Sequence, residues 1–247
     1  MRRVLTVRDL ALGYSSEPLL EDLAFDVRRG EVFAILGGSG CGKSTLLRAL
    51  VGLLQPLRGK VHLFGYGAPA QALEPPAFGV LFQSSALFGS LTLLDNVALP
   101  LRKWTRLPED AVEAVAHSRL RIVGLGGFER HLPSEVSGGM KKRAGIARAL
   151  ALDPQLLFLD EPSAGLDPVT AAGLDELILT LRQSLGVTTV LVTHELASIY
   201  RVADTCIMLD RDAKGIIARG SPRDLRDRSS DARVQAFFLR RAPGGAT

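Results

Sequence analysis

Gly37-Gly38-Ser39-Gly40-Cys41-Gly42-Lys43-Ser44-Thr45 fills every position of the spacing G-x-x-x-x-G-K-[ST]. The apolar run Val32-Phe33-Ala34-Ile35-Leu36 leads into it, and the helical pattern Thr45-Leu46-Leu47-Arg48-Ala49-Leu50 leaves it. A buried strand, a glycine loop and a helix are the context such a loop needs. Its glycines let successive backbone N–H groups converge on anionic oxygens, and the helix N-terminus adds a positive dipole. Lys43 then reaches the β- and γ-phosphates of a bound nucleotide, and the Ser44 hydroxyl becomes a ligand for Mg²⁺.

The chain of 247 residues is long enough for one large domain, or one domain with an inserted subdomain. Hydrophobic residues make up 47% and charged residues 23%, an ordinary globular balance. A net charge of +4 suits a nucleotide or an anionic membrane face and requires neither. The clusters Lys141-Lys142-Arg143 and Arg240-Arg241 read as solvated surface. No stretch approaches the roughly 18 apolar residues of a membrane span. The segment Met1-Arg2-Arg3-Val4-Leu5 has no apolar core or cleavage site of a signal peptide. Cys41 and Cys206 do not make a disulfide framework, which predicts a cytosolic, reducing setting.

Short apolar runs at Val4–Val7, Leu23–Val27 and Val32–Leu36 predict strands, the second by its period of two. Lys60–Phe64 and Gly79–Phe82 predict two more, with the Pro/Ala/Gly-rich stretch from Gly65 to Pro76 as loop. Residues from about 92 to 150 read as helical, with a break from Ser134 to Gly139. Leu156–Leu159 and Thr188–Val192 are continuous apolar runs separated by a helix-length segment, the pattern of buried parallel strands joined by crossover helices.

Three further stretches carry chemistry. Asp160-Glu161 closes the run Leu156–Leu159, so a buried strand delivers one carboxylate to a metal and the next to an attacking water. A strand followed by a polar helix cap has the same pattern. Ser137-Gly138-Gly139 precedes the helix-forming run through Leu150, giving a second helix N-terminus able to hold phosphate, or a plain capping turn. His194 follows the run Val190-Leu191-Val192, at the end of a strand where ligand sites of open α/β sheets lie.

With these motifs in this order, the chain resembles the ATP-binding subunit of an ABC transporter. The resemblance implies an α/β fold: a P-loop NTPase core with a mostly parallel sheet, an antiparallel β subdomain and an inserted helical subdomain. It implies an ATPase that uses ATP and Mg²⁺. The phosphate loop falls on Gly37, Gly38, Ser39, Gly40, Cys41, Gly42, Lys43, Ser44 and Thr45, and the glutamine loop on Gln83. The signature falls on Ser137, Gly138 and Gly139, the Mg²⁺ aspartate on Asp160 and the catalytic glutamate on Glu161. The D-loop falls on Ser163–Asp167, which assigns Asp167 to the nucleotide site, and the switch histidine is His194. The base-stacking aromatic matches Tyr14. Glu161, His194 and Gln83 would act in hydrolysis, and Ser44, Gln83 and Asp160 would hold the metal.

The resemblance also implies a head-to-tail homodimer. One chain offers two phosphate-binding helix ends, neither of which closes alone around ATP, and a twofold axis satisfies both. Most of the family carry Gln where this chain has Met140. With Ile35–Lys43, Val80–Ser84, Ala86-Leu87-Phe88 and Ala236-Phe237-Phe238, that departure resembles the Mla/MCE-associated branch, also described as toluene tolerance. The branch implies phospholipid trafficking between bacterial inner and outer membranes, from the cytoplasmic face of the inner membrane. It implies an integral membrane permease, with MCE-domain and small accessory subunits, and no nucleic acid partner. A soluble ATPase of iron–sulfur cluster assembly, or the ATPase of another ABC importer, are the alternatives.

On this reading residues 1–228 form the ATPase domain, with the helical subdomain inserted at about 92–150, and 229–247 form a tail. Val234, Phe237 and Phe238 share one helical face, which is expected to dock on a neighbouring subunit, its own domain being the simpler alternative. Ser84–Phe88 is expected to border a groove for the permease, or to be core. Cys41 is expected to have a lowered thiol pKa from the helix dipole and Lys43, or to be a buried filler.

Overall fold

The computed structural model describes residues 2–63 and 76–240. Those up to 63, with 188–240, form one compact unit, and 76–187 form another. The loop expected from Gly65 to Pro76 lies outside the described residues except for Pro76, as do Phe64 and residues 241–247 of the expected tail.

The first unit opens with β1 (Arg3–Leu12) and β2 (Leu20–Arg28), paired antiparallel. In β2, Leu20, Leu23, Phe25 and Val27 are buried while most of their neighbours are not, as strand alternation requires. The next strand, β3 (Val32–Gly37), is buried throughout, and Phe25 stacks on its Phe33 at 5.4 Å between ring centroids. Helix α1 (Lys43–Leu50) follows the glycine loop, and β4 (Arg58–Leu63) returns to pair antiparallel with β1.

The second unit holds β5 (Phe78–Leu81), α2 (Leu93–Trp104), α3 (Glu109–Ile122), a short 3-10 turn at Pro133–Glu135, α4 (Gly138–Ala149), β6 (Leu156–Asp160) and α5 (Pro168–Leu185). Side chains cap three of its helices: Thr92 accepts from Asp95 N for α2, Ser137 from Met140 N for α4, and Asp167 from Val169 N and Thr170 N for α5, while α3 starts after Pro108 without one. Helix α5 also has Pro168 in its first turn and ends at Gly186 with φ 66°. Strands β5 and β6 are parallel, with Val80 opposite Phe158.

The chain re-enters the first unit with β7 (Thr188–Val192), α6 (Leu196–Val202), β8 (Thr205–Asp210), β9 (Gly215–Gly220), α7 (Pro222–Arg228) and α8 (Ala232–Phe238). β7 and β8 flank β3 in parallel, and β9 runs antiparallel to β8. The sequence pattern does not predict β8 and β9. β8 is a short apolar run between polar ends, and β9 is half exposed without clean alternation, so β8 takes its place from pairing with β3, and β9 from pairing with β8, rather than from pattern.

Helix α8 corrects the expectation for the tail. Val234 and Phe238 are buried in the same cluster as Ala34, Leu36, Ile199, Cys206 and Met208 of their own unit. Phe238 lies 5.9 Å from the Tyr200 ring. The apolar stripe therefore packs on its own domain, because α7 brings the chain back across β3 and β8 with an uncovered apolar face to fill.

Candidate functional site

Each unit contributes its own set of groups. In the first, β3 delivers the chain into the loop, and Gly37 turns it at φ 146°. A Cβ at 37 would stand 2.5 Å from both Cys41 Sγ and Leu209 O, so only glycine fits. Gly42 is the N-cap of α1 at φ 99°, with a Cβ there running into Leu20. By contrast, a Cβ at Gly38 or Gly40 would meet nothing within 4 Å, which is the open space an approaching phosphate needs. The first turn of α1 carries no acidic side chain, so its dipole is left for a ligand. Lys43 Nζ donates to Gly37 O at 2.8 Å and Gly38 O at 2.9 Å, which holds the ammonium against the loop.

Tyr14 stands with α1. Its hydroxyl lies 3.4 Å from Thr45 Oγ1 and accepts from Arg48 Nη1 at 2.8 Å, while the residue is 66% exposed. The Thr45 contact and then Arg48 hold the phenol below its ordinary pKa against the opposing effect of burial. The ring is thus tethered through its hydroxyl while most of the residue's surface stays open. Ile35 pairs with Val192, so Gly37 and His194 leave neighbouring parallel strands at the same end. The His194 side chain is 56% exposed, with Nε2 3.7 Å from Glu195 Oε1.

In the second unit β6 ends at Asp160, and Glu161 follows with φ 46°. Both are buried. Lys142, on α4, donates through Nζ to the main-chain carbonyls of Gln83 and, at 3.2 Å, of Glu161. Gln83 itself is exposed. Ser137 is exposed at the head of α4, with Gly138 beside Leu166 and Gly139 against Thr170. The Asp167 carboxylate caps α5, and its hydrogen bonds to Thr170 hold its pKa below the ordinary value. The structure thus brings Gln83, Glu161 and the signature helix together in one unit, and the phosphate loop, Tyr14 and His194 together in the other.

A protein-family model described as ABC transporter matches residues 20–164. The chain belongs to this family. As an ABC ATPase it is 42% identical over 243 residues to the "Probable ribonucleotide transport ATP-binding protein mkl" of Mycobacterium leprae, covering 96% of this chain and 69% of that one. It is 38% identical over 237 residues to the intermembrane phospholipid transport system ATP-binding protein MlaF of Escherichia coli K12, covering 94% of this chain and 87% of that one. A solved dimeric, post-hydrolysis ATP-binding cassette bound to ADP and phosphate superposes with a TM-score of 0.78 at 27% identity, covering 88% of this chain and 98% of that one. The expected fold and the nucleotide-binding, ATP-hydrolysing character are those of this ABC ATPase.

Two expectations about the ABC ATPase need correction. Lys141-Lys142-Arg143 is not solvated surface. Lys142 is buried, and Arg143 donates to Val123 O and Gly173 O, both at 2.9 Å. The helix carrying them is rich in Ala and Gly, so Thr170 packs close at Gly139 and Leu81 at Gly145, and the long side chains of Lys142 and Arg143 span to carbonyls of the segments around it. Cys41 is not an activated thiol: burial pushes its pKa up and outweighs the opposing Lys43 charge, which makes it the small filler beside Gly37.

Sequence reasoning also missed two anchors. Fully buried Asn96 accepts from Phe88 N at 2.8 Å and donates to Phe88 O, Leu91 O and Thr92 O. Arg148 donates to Ser85 O at 3.0 Å and Ala86 O at 2.7 Å. Between them they hold the loop after Gln83 and leave Phe88 58% exposed and Leu87 half-buried. No sequence signal marks a lone Asn or Arg as loop-holding.

Proposed function

We propose that this ATPase works as a pair of identical subunits beneath an integral membrane permease, at the cytoplasmic face of the inner membrane, and drives phospholipid movement between inner and outer membranes. The observation that carries the lipid reading is the 38% identity to the phospholipid-transport ATPase across 94% of this chain. The Met140 departure in the signature supports it. The dimeric neighbour of known structure and the exposed Ser137 head of α4 support the pairing. MCE-domain and small accessory subunits belong to the same reading.

In the proposed mechanism the loop amides and Lys43 bind the phosphates, Tyr14 stacks on the base, and Ser137 to Gly139 of the partner subunit close the site. Asp167 of the D-loop shapes that closure through the end of α5 that it caps. Ser44, Gln83 and Asp160 would each offer an oxygen donor of the kind Mg²⁺ takes, and Asp160 stands at the end of a buried strand. When bound, Mg²⁺ would neutralise charge on the phosphoryl oxygens. Glu161 takes the proton of the attacking water as general base. His194 holds that water or the γ-phosphate in line, and Gln83 registers the loaded site to the segment that meets the permease.

The test has two arms. Glu161→Gln should retain ATP binding while turnover falls on the order of 10²–10⁴-fold. Near-normal turnover would remove Glu161 from the base role. Cells without the protein should show phospholipid in the outer leaflet of the outer membrane and detergent sensitivity. The higher identity to the ribonucleotide-transport protein favours a second reading, a different cargo. An intact outer membrane with a loss of ribonucleotide uptake would decide for it.

A further inference from the structure

Lys142 lies on α4, in the helix that Ser137 caps, and is only 6% exposed. An ammonium is not buried without compensation, so what it holds is informative. Its Nζ donates to the Gln83 carbonyl, where the chain has just left β5, and to the Glu161 carbonyl, where it has just left β6. Burial lowers the pKa of its ammonium, and the carboxylates of Asp160 and Glu161 oppose this without cancelling it. Glu161 sits at φ 46°, a left-handed conformation that a non-glycine residue keeps only when its surroundings enforce it. The bond from Lys142 to its carbonyl is such an enforcement. The rest of α4 is fastened to the same region: Arg148 holds Ser85 and Ala86, and Gly145 lets the helix approach Leu81.

We propose that Lys142 is a positioning residue for hydrolysis, tying the signature helix to the backbones of Glu161 and Gln83 so that the base carboxylate is aimed through α4. This rests on the reading of Glu161 as general base. It gives the signature a path to the catalytic carboxylate within one unit, independent of any contact with ATP.

Lys142→Met keeps the length and loses the donors, and Lys142→Arg restores them. In the full chain, the Met variant should lower kcat by about 10²-fold, the effect of a misplacement of about 1 Å, with KM for ATP and the melting temperature nearly unchanged. The Arg variant should recover most of that loss. In a Glu161→Gln background, Lys142→Met should cost nothing further, since both act through one carboxylate. A Met variant with full kcat would overturn the proposal, as would a loss that follows unfolding and is not rescued by Arg, or a further loss on top of Glu161→Gln. If the Met variant does not fold, Lys142→Gln, a shorter neutral donor, should show an intermediate kcat at unchanged KM, and full kcat there overturns the proposal. Near-normal turnover of Glu161→Gln alone would instead overturn the base assignment, so the two failures are distinguishable.

Discussion

Gly139 in the first turn of α4 packs directly on Thr170 in the first turn of α5, and a Cβ at 139 would overlap the Thr170 Cγ2 methyl. The signature glycine is thus a packing requirement between two helix starts. Gly139→Ala should destabilise the protein by about 1–3 kcal/mol, as overpacking does, and should lower ATPase activity by displacing Ser137. Thr170→Ser removes the methyl while keeping the hydroxyl, so the double variant should recover melting temperature and activity. A double variant no better than Gly139→Ala would show that backbone freedom, and not this contact, requires the glycine.

Cys41 should be a slow thiol. Burial raises its pKa, which leaves less thiolate near neutral pH, so its labelling by a maleimide should be slower than that of a free thiol and should accelerate as pH rises. Cys206 is buried too, its pKa pushed up to about 12, so neither cysteine should label rapidly in the folded chain. Mass spectrometry of partly labelled protein measures both rates, and fast modification of Cys41 at neutral pH would contradict the packing described.

Helix α8 should be part of the fold's stability. Phe238 fills the cluster between β8 and α6, so Phe238→Ala should cost about 3–5 kcal/mol. Deleting residues 229–247 should lower the melting temperature of the isolated chain, and not merely weaken its assembly. A truncated protein that melts with the full chain would show that α8 adds nothing to the core.

Glu31 supplies a pH dependence. Burial raises its carboxyl above the ordinary 4.5, with the Asp204 charge adding to this and the bond from Arg28 N opposing it. A carboxyl raised in the folded state stabilises the fold below its unfolded pKa, and that contribution is lost as pH rises through the folded value. Glu31→Gln keeps an acceptor for Arg28 N and is neutral throughout. The melting temperature of the variant relative to wild type should therefore be more favourable near neutral pH than at acidic pH. An identical difference at both would mean that Glu31 titrates as it does in the unfolded chain.

Much of the local architecture was legible because local rules govern it. The spacing from Gly37 to Lys43 dictates a turn between a buried strand and a helix, and β3 and α1 flank that turn. Asp160-Glu161 after four apolar residues marks a strand end, and β6 closes at Asp160. Ser137 and Asp167 begin helices because their oxygens satisfy the first N–H groups of α4 and α5. The pairing of β8 and β9, the inward turn of α8 and the burial of Lys142 were not legible.

The order of motifs along the chain determined by itself that this is a nucleotide-handling α/β protein of the ABC family, because backbone geometry and phosphate chemistry constrain a few residues at fixed spacing. Only the tertiary structure decided which charges face water and which are spent inside. Lys142 and Arg148 have the same formal charge as Arg240. Two of them bond main-chain carbonyls in the second unit, while the third lies exposed at the end of the described chain. The physical reason is that a cation's fate depends on which unpaired carbonyls the fold brings within reach of it, and those arrive from segments distant in sequence.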